Sequence, residues 1–229
     1  MKLDTSNIIV FLGPPGSGKG TLSRLCVNRL AWTQFSTGDL CREHITNKTE
    51  LGKNIDFIIK SGKLISDSLI IKMVEKELEK QFKNQSKVIL DGFPRTKEQA
   101  VALSNILKAS CFNQVKLNIV KLDIPDSDII LRLSKRMICS DKKCQTIYSL
   151  SDISLRPKVE NICDNCSSNL IKRIDDEIDA ILDRLKIYHL HENDIIDFFH
   201  NKGHKIITLS VNRPVEDIYR DFLTKLNIN

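Results

Sequence analysis

Residues 13–21 read Gly13-Pro14-Pro15-Gly16-Ser17-Gly18-Lys19-Gly20-Thr21, directly after the apolar run Ile8-Ile9-Val10-Phe11-Leu12 and directly before a helical stretch, Leu22 to Leu30. A glycine-rich turn leaves its backbone N–H groups free to converge on one point. The N-terminus of the following helix adds about half a positive charge there, and Lys19 adds a full one. That combination holds phosphate. A glycine loop that only turns the chain into a helix has no use for the lysine and is the weaker reading. The general pattern places a Ser or Thr metal ligand straight after the lysine, whereas here Gly20 intervenes and the hydroxyl is Thr21.

A second chemistry lies in the cysteines. Of seven, Cys26, Cys41 and Cys111 are isolated and read as small buried hydrophobes. The other four form a C-x4-C pair, Cys139 and Cys144, and a C-x2-C pair, Cys163 and Cys166. Four sulfurs suit one tetrahedral zinc ion, and in a reducing compartment clustered cysteines are metal ligands more often than disulfides. Two disulfides or free thiols are the alternatives. A segment of this length cannot bury enough surface to fix its own shape, so a metal clip has a physical purpose. Four protein ligands leave no open position, which makes such a zinc structural. Zinc ribbons also bind nucleic acid, and that function class stays open at this point.

The elements that must position these groups alternate. Phe35 to Leu40 is a short apolar segment turning at Thr37-Gly38-Asp39 into a helix that Thr37 or Asp39 would cap. Residues 40–80 are mostly helical, interrupted at Ser61-Gly62-Lys63 and restarted at Ser66-Asp67-Ser68. Lys87 to Asp91 reads as a buried strand ending in a carboxylate, followed at once by Gly92-Phe93-Pro94-Arg95. The end of such a strand is a functional position in an open α/β sheet; the bland role for Asp91 is to cap the next turn. A helix over 96–110, a strand over 115–124, a helix from Pro125 to about Arg136, a long helix from Asp175 to Phe199, a strand over 205–211 and an amphipathic helix from Pro214 to Leu226 complete the pattern. Strands alternating with helices predict a parallel sheet.

The balance of 35 basic and 29 acidic residues gives a net charge of +6. The basic side chains are scattered, which suits a phosphate-handling enzyme as well as a nucleic-acid binder. The absence of a long apolar stretch and the short polar start, Met1 to Asn7, predict a soluble cytoplasmic protein with no membrane partner.

With the phosphate loop, Ser36-Thr37-Gly38-Asp39, Asp91-Gly92-Phe93-Pro94-Arg95 and the cysteine segment placed, the sequence resembles the adenylate kinases, in particular their long form with a zinc-stabilised lid. The resemblance runs from residue 8 to about 226. It implies an α/β P-loop kinase fold: a parallel-sheet core (1–35, 66–134 and 177–229), a helical nucleotide-monophosphate-binding insert (36–65) and a zinc-ribbon lid (135–176). It implies reversible phosphoryl transfer from Mg-ATP to AMP, giving two ADP, by a monomer without a nucleic-acid partner. Gly16, Ser17, Gly18, Lys19, Gly20 and Thr21 match the ATP phosphate loop, and Arg132, Ile147, Tyr148 and Arg213 match positions around the ATP base and ribose. Thr37, Arg42, Lys63, Leu64, Ile65, Gly92, Phe93, Pro94, Arg95 and Gln99 match the AMP site, with Thr37 and Gln99 as the adenine readers. Arg173 and Arg184 match arginines that close over the phosphoryl groups. Together with Lys19, Arg95 and Arg136 they make up the catalytic cations, and Asp91 is matched to orienting hydrated Mg2+.

The family resemblance also exposes departures. The lid has Tyr148-Ser149, Arg156-Pro157-Lys158 and Asn161-Ile162-Cys163 where Tyr-His, Pro-Pro-Lys and a glycine before the third cysteine are usual. Asp179-Ala180 replaces Glu-Thr. A kinase of other base or donor preference (GTP:AMP, UMP or CMP) is the alternative within the class, and a P-loop or zinc-ribbon nucleic-acid binder the alternative outside it. Trp32 reads as core filling. His189 and His191, two apart on a helix, point to different faces and make no metal site.

Overall fold

The computed structural model describes residues 7–60, 65–82, 87–109, 115–141 and 144–228. The Ser61-Gly62-Lys63 interruption, the candidate residues Lys63 and Leu64, and Cys111 lie outside them. Close packing divides the chain into two units, the first Met1–Gly13, Gly18–Asp123 and Leu190–Asn229, the second Pro14–Ser17 and Ile124–His189.

The first unit is built on five parallel strands: β1 (Asn7–Leu12), β2 (Thr33–Ser36), β3 (Lys87–Asp91), β4 (Lys116–Asp123) and β8 (Ile206–Ser210), in the order β2-β3-β1-β4-β8. Ile8 to Leu12 and Val88 to Leu90 are buried along their whole runs. Continuous apolar strands of this kind require cover on both faces of a parallel sheet. Ile8, Val10, Val88 and Leu90 join a core with Ile70, Val74 and Leu78 of α4 (Asp67–Phe82), Ala100 and Leu103 of α5 (Lys97–Ile106), and Ile195 and Phe199 of α7 (Ile178–Asn201). Phe11, one residue out of phase with that set, meets Phe222 of α8 (Val215–Leu226) with ring centroids 5.8 Å apart. The period of two along β1 thus assigns alternate residues to two helical layers. α1 (Lys19–Leu30) follows the glycine-rich loop.

The helix after β2 starts one residue earlier than the cap expectation allows. α2 (Thr37–Thr46) is capped by Ser36, whose hydroxyl accepts from the Asp39 N–H at 3.2 Å, and not by Thr37 or Asp39. Thr37 is the first helical residue, and its hydroxyl donates elsewhere. α3 (Glu50–Lys60) follows.

The second unit contains α6 (Asp126–Ser134) and a small antiparallel sheet of β5 (Arg136–Cys139), β6 (Ile147–Ser149) and β7 (Leu170–Ile171), in the order β6-β5-β7. The helix expected through Arg136 ends at Ser134, and Arg136 opens β5. The long helix expected from Asp175 begins at Ile178, behind a 3-10 turn at Ile174–Asp176. Asp176, the last residue of that turn, is fully buried.

Since Phe222 is 1% exposed and carries the contact to β1, Phe222→Ala is expected to remove about 3–5 kcal/mol of stability, read from denaturant unfolding of the two proteins side by side.

Candidate active site

Register decides what meets at the carboxyl end of the sheet. Asp91 pairs with Phe11 on one side and with Ser36 on the other. The loop after β1, the carboxylate ending β3 and the start of α2 therefore leave three adjacent strands at one level. Strand order reverses beside β1, and ligands of open parallel sheets bind at such a point.

Lys19, the first residue of α1, folds back so that Nζ donates to the Gly13 carbonyl at 2.7 Å. Asp91 accepts from Gln34 Nε2 at 3.2 Å. Burial pushes its carboxyl above the ordinary carboxylate range, with Asp39 acting in the same sense, while Lys19, Arg95 and the Gln34 hydrogen bond hold it down. Gly20 stands where the general pattern has a hydroxyl; a Cβ there would sit 3.3 Å from Asp91 Oδ2, a tight contact that the carboxylate relieves only by shifting a few tenths of an ångström. Gln34 was not singled out from the sequence, where it is one of three polar residues in the four-residue strand β2 and carries no local signal.

The turn after β3 gathers the next group. Gly92 has φ +80°, and a Cβ on it would meet Arg95 Nη2 at 2.8 Å and Thr37 Oγ1 at 3.1 Å. Only glycine fits that conformation and that space. Its carbonyl accepts from the Thr37 hydroxyl at 2.9 Å and from Arg95 Nε at 2.8 Å. Arg42 pairs with Asp39 on α2. Arg95 and Arg42 both act on the buried Cys41 thiol, opposing the upward push of its burial. Gln99 is buried, its oxygen accepting from the Arg95 N–H at 2.7 Å and its nitrogen donating to Asp67 at 2.7 Å. Expected as a residue that offers its amide outward, it spends half of its hydrogen-bonding capacity inside the fold. Phe93 and Pro94 are buried, and Ile65 packs against the core. Arg213 is engaged by the Ser210 carbonyl and by Asp221.

In the second unit Arg136 grips Asp176 with both arms of its fork, Nε to Oδ2 at 2.7 Å and Nη2 to Oδ1 at 2.6 Å. Arg184 Nη1 donates to the Asp175 carbonyl at 2.8 Å and lies 3.1 Å from the Asp175 carboxylate and 3.6 Å from that of Asp176. Asp176 is fully buried, and a carboxylate so placed persists only with charged partners. Two guanidiniums share it. The consecutive carboxylates Asp175 and Asp176 are thus both committed to arginines of this unit. Arg132 lies in the last turn of α6 and Arg173 between β7 and the 3-10 turn; burial lowers the Arg132 pKa, against the charges of Asp128 and Asp152.

The sulfurs of Cys139, Cys144, Cys163 and Cys166 all lie within 4.8 Å of one another, with Cys139 and Cys166 3.3 Å apart and Cys144 and Cys163 3.6 Å apart. Tetrahedral zinc with Zn–S bonds of about 2.3 Å sets its sulfurs roughly 3.8 Å apart, so the cluster has the dimensions of such a site. Burial pushes the Cys139 thiol up to about 12. Burial also raises Cys163, but the Tyr148 hydroxyl and the backbone N–H groups of Asn165 and Cys166 outweigh it and bring the thiol down to about 6. Tyr148, expected beside the ATP base, is buried in this cluster: its hydroxyl donates to Cys163 Sγ at 3.4 Å and accepts from the Asp164 N–H at 2.7 Å. Its neighbour Ile147 is half-buried. His189 pairs with Asp126, and Trp32 is buried as core filling.

Comparison with known proteins gives the family. A family model described as adenylate kinase matches residues 11–204. This chain belongs to the adenylate kinase family. It is 37% identical over 212 residues to an adenylate kinase of Fervidobacterium nodosum, covering 93% of this chain and 94% of the relative. An adenylate kinase of Treponema denticola is 38% identical over 216 residues, with 94% and 97% covered. One of Methanothrix thermoacetophila is 40% identical over 196 residues, with 85% and 87% covered. Among the described residues, no helix is long and apolar enough to cross a membrane.

The raised Asp91 pKa has a sign that stability can test. A carboxyl favoured in its protonated form by folding contributes stability that is fully present below its unfolded pKa of about 4 and is lost as pH rises through the folded value. Asp91→Asn is therefore expected to melt at the same temperature as the unmodified protein at the acid end and above it at neutral pH. Melts across that range check it; a gap that widens toward acid would reverse the assignment.

Proposed function

We propose that the protein transfers the γ-phosphoryl group of Mg-ATP reversibly to AMP, giving two ADP, and so balances adenine nucleotides. The observation that carries this reading is the convergence of the Lys19 loop, Asp91 and the Thr37–Gly92–Arg95 turn at the carboxyl ends of three adjacent strands, in a chain of the adenylate kinase family. The attacking oxygen is that of an already ionised phosphate, so no general base is needed. What the reaction requires is charge neutralisation, alignment and exclusion of water. Lys19, Arg42, Arg95, Arg136, Arg173 and Arg184 supply the cations, and guanidinium forks grip phosphate oxygens in pairs.

In this reading Gly16 to Thr21 surround the ATP phosphates. Arg132, Ile147, Tyr148 and Arg213 serve its base and ribose; given its burial, Tyr148 acts there through its backbone. Thr37, Arg42, Lys63, Leu64, Ile65, Gly92, Phe93, Pro94, Arg95 and Gln99 serve AMP. Segments 36–65 and 135–176 close on the substrates, whose binding energy drives the closure. Asp91 would hold hydrated Mg2+; a half-buried carboxylate oxygen beside Gly20 is the hard donor that ion takes. The ion's contribution is to neutralise and orient the β- and γ-phosphates. Cys139, Cys144, Cys163 and Cys166 would hold zinc, which supplies a cross-link and no chemistry. The protein acts as a cytoplasmic monomer.

Purified protein with Mg-ATP is expected to form ADP with AMP and only at a small fraction of that rate with GMP, CMP or UMP, and to form ATP and AMP from ADP alone. Transfer to another monophosphate at a comparable rate would overturn the adenine preference, and no transfer to any would overturn the activity. Separately, Cys163→Ser is expected to lower bound zinc and to drop the melting temperature by about 5–10 °C, the two falling together; an unchanged melting temperature would remove the structural role.

A further inference from the structure

Asp67, in the first turn of α4, accepts two hydrogen bonds from the segment that follows β3. Thr96 Oγ1 donates to its Oδ2 at 2.6 Å and Gln99 Nε2 to its Oδ1 at 2.7 Å. The oxygen of the same amide accepts from the Arg95 N–H at 2.7 Å, and Gln99 is 4% exposed. Thr96 in turn caps α5, its hydroxyl accepting from the Gln99 N–H at 3.2 Å. A backbone N–H can only donate and a carboxylate can only accept. The two ends of the Gln99 amide are therefore not interchangeable: oxygen faces Arg95 and nitrogen faces Asp67.

An amide with one N–H and one oxygen lone pair already used keeps one of each. Adenine presents a donor at its exocyclic amine beside an acceptor ring nitrogen; guanine presents an acceptor oxygen beside a ring N–H. The two edges call for opposite amide orientations. A glutamine free to flip serves both, and one held at both ends serves one.

We infer that Asp67 is a positioning residue that fixes the orientation of the Gln99 amide and thereby selects adenine over guanine in the monophosphate site. This rests on the reading of Gln99 as a contact to the AMP base. Asp67 also ties the residues after 65 to the turn at Arg95, so both sides of that site share one anchor.

The test is the ratio of kcat/KM for AMP to that for GMP, with KM for ATP measured in parallel. Asp67→Ala is expected to lower the ratio at least tenfold, through KM for AMP, with KM for ATP unchanged. Asp67→Asn, which keeps an acceptor oxygen for Gln99, is expected to recover most of it. Should Asp67→Ala fail to fold, Asp67→Ser, too short to reach the amide, takes its place in the same assay. An unchanged ratio, or equal losses in the Ala and Asn variants, would overturn the inference. Gln99→Ala separates the two levels. If it collapses the ratio while Asp67→Ala does not, the positioning role alone fails; if neither moves it, Gln99 is not the base reader.

Discussion

The parallel pairing of β3 with both β1 and β2 is the constraint on which the candidate site of the first unit depends. Hydrogen bonding along β3 sets Asp91 level with Phe11 and Ser36, and a shift of one residue would turn the carboxylate to the other face of the sheet. The register is held by burial. Val88, Ile89 and Leu90 are wholly enclosed, each worth about 1.5–3 kcal/mol when removed from water, and any slip would expose them or force Asp91 among them. The apolar strand interior and the polar strand end are one structural decision.

From that decision the electrostatics follow. A carboxylate at the buried end of a strand is costly alone, and here Lys19, Arg95 and the amide of Gln34 offset the cost. The second unit solves a similar problem with Asp176, enclosed and shared by Arg136 and Arg184. In both units, guanidinium groups are held by the protein's own oxygen atoms: Arg95 rests on the Gly92 carbonyl and Arg136 on Asp176.

The three-stranded sheet of the second unit shows how little apolar material a small sheet needs when other bonds hold it. Its strands are short, and the buried cluster at its cysteines is Cys139, Tyr148, Cys163 and Leu170. Sulfur makes up half of that cluster, and Tyr148 joins it through a hydroxyl that bridges Cys163 and the Asp164 backbone. Packing and the clustering of the sulfurs are carried by the same side chains.

The sequence by itself determined the phosphate loop, the strand ending in Asp91, the parallel class of the sheet and the four-cysteine group, because each is written in contiguous residues with fixed spacing: glycines before a lysine, an apolar run before a carboxylate, cysteine pairs at turns. Tertiary structure alone decided which polar groups face inward. That Ser36 and not Thr37 caps α2 depends on Gly92, 55 residues on, accepting the Thr37 hydroxyl. That Gly20 lies against Asp91, that Gln99 turns toward Asp67 and that Tyr148 belongs to the cysteine cluster are likewise contacts between distant segments. Local patterns fix which segments form elements and which face is apolar. The partner of a buried polar group is chosen by whichever segment the fold brings within hydrogen-bonding distance, and one-dimensional spacing carries no record of that.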